Sequence, residues 1–475
     1  MRYFYLFYEN CIQSKLINHI MPLLKETRQH RFSDMKLIKS SILQYSKTML
    51  IKNTISTSIF SIIITLILLF GCDKTKDKPI LEKLDRIASE YVRLCLRIDK
   101  HHKGFVDAYI GDEKIKLKID KEGKIDLLKL KEESEKLSNE LSELENKTNR
   151  TIFLEKQITA ANTFIRKLLG EEFSLFEEAR LLYDIEPQMV PEESYSETIK
   201  NINKILPGES NALEKLEKYR KPFILKKEEI LPAIERALQE VRKRTKEFLP
   251  LPTEEYVKIN LVSDKPWSGY NWFKGNFHSL IEINTDLPRR IDQILGYIVH
   301  EGYPGHHTEL CLKEKFLYKD KNYIEYSVFP LYSPESVISE GIAELGLEII
   351  FTENELLNFL KNEMFPLFGL KDIDIEKWNK IRKSLKKLSS ISGNAAILLL
   401  DRNKNEAEVI NYLKKFGLQN EETAKKQISF IKTYRAYIFN YYYGYNLLKR
   451  YVESGEQKDL FKKIILQHAY PSYFE

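Results

Sequence analysis

The chain has 475 residues, 43% hydrophobic and 30% charged, an ordinary composition for a folded protein that excludes wholesale disorder. Its net charge of +6 is not spread evenly. Residues 1–71 hold nine Lys/Arg against three Asp/Glu, and the remainder is balanced at 66 of each, so the body offers no electrostatic case for nucleic-acid binding.

The first readable element is a leader. Nineteen residues from Asn53 to Gly71 carry no charge, Lys47 and Lys52 precede them, and Cys72 and the charged stretch Asp73 to Lys78 follow. A basic flank, an apolar core and a small residue before the cut describe a secretory signal. With Cys next in line, the segment resembles a bacterial lipoprotein signal. Residues 49–71 are then the signal peptide, 1–48 an over-extended gene start, and Cys72 the lipidated first residue of the mature protein. The competing reading is an uncleaved anchor, because this length just spans a bilayer. Either way the body is expected to be exported and membrane-anchored, periplasmic or on the outer surface. Cys95 and Cys311 remain in the body. They can pair in an oxidising compartment or stay as two buried thiols, and neither has metal-site spacing. Any zinc must therefore be held by His and carboxylate.

Residues 72–80 read as a polar tether and 81–250 as an N-terminal helical lobe. Leu127, Leu130, Leu137, Leu141 and Leu144 recur at helical spacing among Glu and Lys. The run is too short for a coiled coil and predicts an amphipathic pair of helices. Leu231-Pro232 to Arg244 predicts one long helix, and Pro250 and Pro252 break the chain after it. Residues 251–475 read as a catalytic lobe. Tyr256–Val262 alternates as a strand, Pro266 to Trp272 reads as turn-rich and aromatic, and Ser279–Asn284 reads as a second strand closed by Pro288. Helices follow almost to the end, with Ser333-Pro334-Glu335 a marked helix start. The expected fold is mainly α-helical, α+β with a small β-sheet, two-lobed around a cleft.

Three of the nine histidines fall in His300-Glu301-Gly302-Tyr303-Pro304-Gly305-His306-His307. A His-Glu pair followed by another His suits two imidazoles on one zinc, with the carboxylate as general base. The usual spacing of the two His is four. Here it is six or seven, and on an unbroken helix seven residues separate the rings by about 10 Å. Two ligands of one zinc lie only about 3 to 3.5 Å apart. Pro304-Gly305 resolves this: the helix is expected to end or bulge near Tyr303, and His306 to swing back as the second ligand, with His307 the alternative. Glu340 is the expected third ligand. Glu344 and Glu348 share its helix face, and Glu344 is placed to orient a ligand imidazole. Gly341 and Ala343 are small enough to let this helix approach the His helix. Tyr270 and Asn284 are candidate substrate contacts, Trp267, Tyr270 and Trp272 a candidate aromatic wall, and strand 279–284 a candidate edge for an extended peptide. His101-His102, and Arg435 and Arg450 as carboxylate anchors, are weaker candidates.

The His300–His307 string, together with Ser339-Glu340-Gly341-Ile342-Ala343, resembles the bacterial domain-of-unknown-function family eight-eight-five, regarded as predicted metallopeptidases related to the gluzincins. The resemblance spans roughly residues 80–470. It implies a mostly helical fold with a cleft, zinc on His300, His306 and Glu340, and Glu301 as base. Tyr441-Tyr442-Tyr443-Gly444 resembles the family's C-terminal Tyr-x-x-Gly, which implies that Tyr441 donates to the developing oxyanion. Glu309 stands where the family often has Gln, and Glu344 where it is often aromatic. His307 is expected beside the ligands as a supporting group. The expected function is a zinc peptidase acting on a peptide or small protein. The alternatives are another metal-dependent amide or ester hydrolase, or an inactive surface-binding lipoprotein.

Overall fold

A computed structural model describes residues 74–144, 147–265, 267–286 and 288–475. The expected leader, its expected cleavage site and Cys72 lie outside the described residues. Residues Pro79–Glu475 pack as a unit of their own, mainly helical with two small sheets.

Helix α1 (Lys74–His101) begins inside the stretch read as a tether, whose lysines are good helix formers. It leads to the short strand β1 (Val106–Tyr109). Helix α2 (Leu127–Ser142) buries Leu130, Leu137 and Leu141 and packs on α3 (Asn149–Leu168), the expected amphipathic pair. The long helix α4 (Lys227–Lys246) carries Pro232 in its second turn. Cys95 and Cys311 are both buried free thiols.

Strand β2 (Tyr256–Val262) matches its sequence reading. The aromatic stretch expected as turns is instead strand β3 (Gly269–Gly275). Asn271 and Phe273 point into the protein while Tyr270 and Trp272 face the other way, so an alternation was present beneath the Gly and Asn turn signals. β4 (His278–Asn284) is the central strand, parallel to β2 and antiparallel to β3. Paired on both sides, β4 has no free edge for a peptide. The outer strand on the cavity side is β3.

Helix α5 (Ile291–Glu301) ends at Gly302, and α6 (His306–Leu312) starts after Gly305. Strand β5 (Val328–Pro330) pairs antiparallel with β1. Helices α7 (Pro334–Ile350) and α8 (Phe439–Val452) complete the frame. At the start of α7, the Ser333 hydroxyl donates to the carbonyl of Pro330 at 2.9 Å and does not cap the helix.

Helix α7 is buried on nearly every side. Ile338, Ile342, Leu345 and Ile349 pack with Leu312, Tyr445 and Leu448. Val337 joins the large core that contains Leu84 and Tyr470, and Ile350 joins the core of Ile291, Ile294 and Ile298. The small residues of α7 act differently from expectation. A Cβ on Gly341 would come within 2.7 Å of the Gly444 backbone, so Gly341 serves the crossing with α8. Gly346 is the residue that admits the His helix: a Cβ there would lie 2.9 Å from Val299 and 3.1 Å from Pro304.

Candidate metal centre

The hydrophobic face of α5 (Ile291, Ile294, Leu295, Ile298) fixes its last turn against the core, which sets His300 and Glu301 at its C-terminal end. The chain then turns sharply. Gly305 donates its N–H to the carbonyl of Val299 at 3.0 Å. A Cβ at Gly305 would lie 1.9 Å from the carbonyl oxygen of His300, so no other residue fits the corner. The turn brings the His300 and His306 rings to 4.8 Å between centroids, nearly perpendicular at 88°.

Glu340 of α7 closes the group. Its Oε2 is 3.3 Å from His300 Nε2 and 3.9 Å from His306 Nε2. One ligand atom from each of His300, His306 and Glu340 lies within 4.8 Å of the others. Nitrogen and oxygen ligands of a tetrahedral ion sit about 3.4 Å apart; the His300–Glu340 separation matches this and the His306–Glu340 separation is somewhat wider. Glu340 Oε2 is buried and makes no hydrogen bond despite its nearness to His300. A buried carboxylate oxygen without a partner is costly, and a divalent cation in the middle of the three groups would satisfy it. The donor set of two imidazoles and one carboxylate fits such an ion.

The groups behind each ligand fix its direction. Tyr437 donates to Glu340 Oε1 at 2.6 Å, leaving Oε2 to face the imidazoles. His300 Nδ1 is 3.5 Å from Glu344 Oε1, so its Nε2 faces Glu340. His306 Nδ1 lies 3.0 Å from the Ser339 hydroxyl, which donates to Glu309 Oε2 at 2.6 Å. Glu309 is held by Lys313, which also reaches Glu335, each at 2.6 Å. Glu309 is buried, but Lys313 and His306 bring its pKa down to about 2, so it remains a carboxylate behind the His306 tautomer.

The acidic neighbours favour the protonated form of both imidazoles. Burial alone would lower the pKa of His300, but the neighbouring carboxylates of Glu340 and Glu344 leave it raised well above its ordinary value. His306 is raised in the same way by Glu309 and Glu340, against burial. Glu340 is lowered by the two imidazoles, again against burial. A metal ion would displace protons from both rings. Glu301 differs: burial raises its pKa, and the nearby His300 and His306 only partly offset this. A carboxyl tuned upward is suited to accept and return a proton.

The four residues line a cavity of about 470 Å³ with Asp107, Gly269, Tyr270, Tyr434, Tyr437 and Tyr441 among its walls. Tyr441 lies over His300, with ring centroids 6.3 Å apart and planes 23° from parallel. Tyr270 donates to Asp107 Oδ1. Asn284 also lines the cavity, but both amide hydrogens go to the carbonyls of Lys265 and Trp267, at 2.8 and 3.0 Å, so it braces the loop before β3 and has none left for a substrate.

His307 is the main correction. It is fully buried and faces away from the cavity, with Nδ1 2.8 Å from Ser279 Oγ and Nε2 3.1 Å from Glu255 Oε2. Consecutive residues on a helix point about 100° apart, so neighbours of His306 cannot share its target. Arg435 is likewise engaged, donating to Glu178 at 2.7 Å. The segment after His101-His102 reaches the cavity through Asp107, while His101 meets the carbonyl of Ile125 and His102 packs on Phe164 and Tyr332. Trp267, Tyr270 and Trp272 do cluster, with centroids 4.6 to 6.0 Å apart, and Trp267 and Tyr270 line the cavity. Sequence reasoning missed Tyr437, Asp107 and the chain from Ser339 to Glu335. Only the i, i+4 pair Glu309–Lys313 left a readable signal.

No protein-family model and no curated protein matches the chain. Among solved structures it is similar to a "putative lipoprotein" from Colwellia psychrerythraea (13% identity, TM-score 0.48, 73% of this chain covered). A second, from Shewanella oneidensis and of unknown function, matches at 12% identity and TM-score 0.42, covering 74% of this chain and 73% of its own. The chain spans 65% of the length of the Colwellia protein.

Proposed function

We propose that the chain is a zinc-dependent hydrolase of peptide bonds, gluzincin-like in its site and held at a membrane by lipid on Cys72. The observation that carries the catalytic reading is the convergence of His300, His306 and Glu340 to within 4.8 Å beside the buried, upward-shifted carboxyl of Glu301. Zinc supplies Lewis acidity to such a site. His300, His306 and Glu340 would hold it, with Glu344, Ser339 and Tyr437 fixing their orientation. Glu301 takes the proton of the attacking water and delivers it to the leaving amine. Tyr441, beside His300 in the cavity wall, stands where it can donate to oxyanion charge. An extended substrate can lie along the outer strand β3, whose residues Gly269 to Asn271 line the cavity. The anchoring reading rests on residues 53–78 of the sequence.

The test is elemental analysis of protein purified without added metal, paired with a peptide library. About one zinc per chain and hydrolysis of peptides are expected. Metal-free protein that stays metal-free in zinc buffer removes the reading.

A further inference from the structure

Arg289 lines the same cavity and is almost wholly buried, at 6% exposure. Its Nε donates to the carbonyl of Asn284, its Nη2 to the carbonyl of Ser268 at 2.6 Å, and its guanidinium lies 5.1 Å from the ring centre of Tyr297. These contacts use two of its five N–H groups and none is a carboxylate. Among the described residues no acid forms an ion pair with it, whereas the other buried cation of the cavity, Lys313, has both Glu309 and Glu335. A buried charge without a counter-ion is unfavourable, and a planar fork of donors matches a carboxylate in two-point contact.

Its position relative to the general base is set by a single peptide link. Ser268 takes the guanidinium hydrogen bond, and its neighbour Gly269 lies against Glu301, where a Cβ would come within 3.4 Å of Oε1. Adjacent Cα atoms are about 3.8 Å apart, and an extended substrate advances about 3.5 Å per residue. An anion held by Arg289 therefore lies one or two residues from a bond presented to Glu301. Lys265, another wall residue, adds a second positive charge on this side.

We propose that Arg289 anchors the free C-terminal carboxylate of a peptide, so that the cavity takes peptides whose chain end lies one or two residues beyond the bond cut. What is cut depends on the hydrolase reading above, but the binding step does not. The experiment is calorimetric titration of the Glu301→Gln protein with N-acetyl-alanyl-alanine, with its C-terminal amide, and with an N-acetyl-alanyl-aspartate peptide amidated at its end. The free acid is expected to bind roughly tenfold or more tightly than the amide, as a charge-assisted two-point contact implies. Arg289→Gln abolishes that preference and Arg289→Lys keeps part of it. Equal binding of acid and amide, a preference that survives Arg289→Gln, or an amidated aspartate peptide held as tightly as the free acid each overturns the proposal. Should Arg289→Gln fail to fold, as judged by circular dichroism, the acid-to-amide ratio in the unsubstituted site and in Arg289→Lys decides. A protein that prefers the acid but neither holds zinc nor cuts any peptide refutes the hydrolase reading and leaves the anchor standing.

Discussion

His306 and His307 are neighbours in the chain and opposites in surroundings. His306 looks into the cavity, where its Nε2, His300 Nε2 and the unpartnered Oε2 of Glu340 converge. His307 looks into a closed network. Ser279 and Glu255 engage its two nitrogens, and Glu255 is further held by Tyr303, Arg242 and Lys246. Burial lowers the pKa of His307, whereas His306 is raised by its acidic neighbours against burial. The contrast separates two uses of a buried polar group. Where each group is matched, the network holds the fold. Where donors of the right kind converge unmatched on one point, they make a candidate ligand set.

The contrast can be broken most sharply at the ligands. His300→Ala should lose bound metal and all detectable peptide hydrolysis, and His307→Ala should keep the metal; elemental analysis of both decides. If His307→Ala loses the metal while staying folded, the two histidines are not functionally distinct. Glu301→Gln should keep the metal while kcat drops by about 10² to 10⁴, the usual contribution of a general base. Turnover close to that of the parent would take Glu301 out of its role. Gly305→Ala forces a methyl into the His300 carbonyl and should destabilise the corner by about 3 kcal/mol, the upper end of ordinary over-packing, with weaker metal retention; denaturant titration and dialysis against chelator measure the two effects. His307→Ala, by contrast, should cost about 2 kcal/mol through the cavity it leaves and the buried Ser279 hydroxyl it strips of its partner.

The last and smallest effect is one of pH. The His307, Tyr303, Lys246 and Arg242 contacts overcome burial and bring the pKa of Glu255 from 4.5 down to about 2. A carboxyl depressed in the folded state stabilises above its unfolded value and loses that contribution as pH falls. The stability advantage of the parent over Glu255→Gln should therefore shrink between pH 4.5 and about 2, by at most about 1.4 kcal/mol per pH unit. Parallel urea titrations at pH 6, 4 and 3 measure it, and a pH-independent difference would separate Glu255 from the network.

Much of the candidate site was legible because it depends on local chemistry. Pro304-Gly305 had to interrupt the helix, and Ser333-Pro334 had to begin the next. The remainder depends on phase and distance. Arg435–Ile438 is a 3₁₀ turn that runs into α8, and it carries Tyr437, whose hydroxyl meets Glu340. The family motif pointed only to Tyr441, as an oxyanion donor, and gave no sign of Tyr437. Asp107 arrives from a strand nearly two hundred residues before the ligand helix, and no spacing rule announces it. Asn284 and Arg289 flank a Pro-containing turn whose path decides which polar group braces the loop and which faces the cavity.

Where Gly341 meets Gly444, main chain touches main chain. Elsewhere in a core a side chain can change rotamer to absorb a small displacement, but peptide groups have no such freedom. Sliding of either helix along the other is therefore transmitted whole to the segments that carry Glu340 and Tyr437. The separation of that hydroxyl and that carboxylate is inherited from the crossing of the two backbones, not from any adjustment of the side chains.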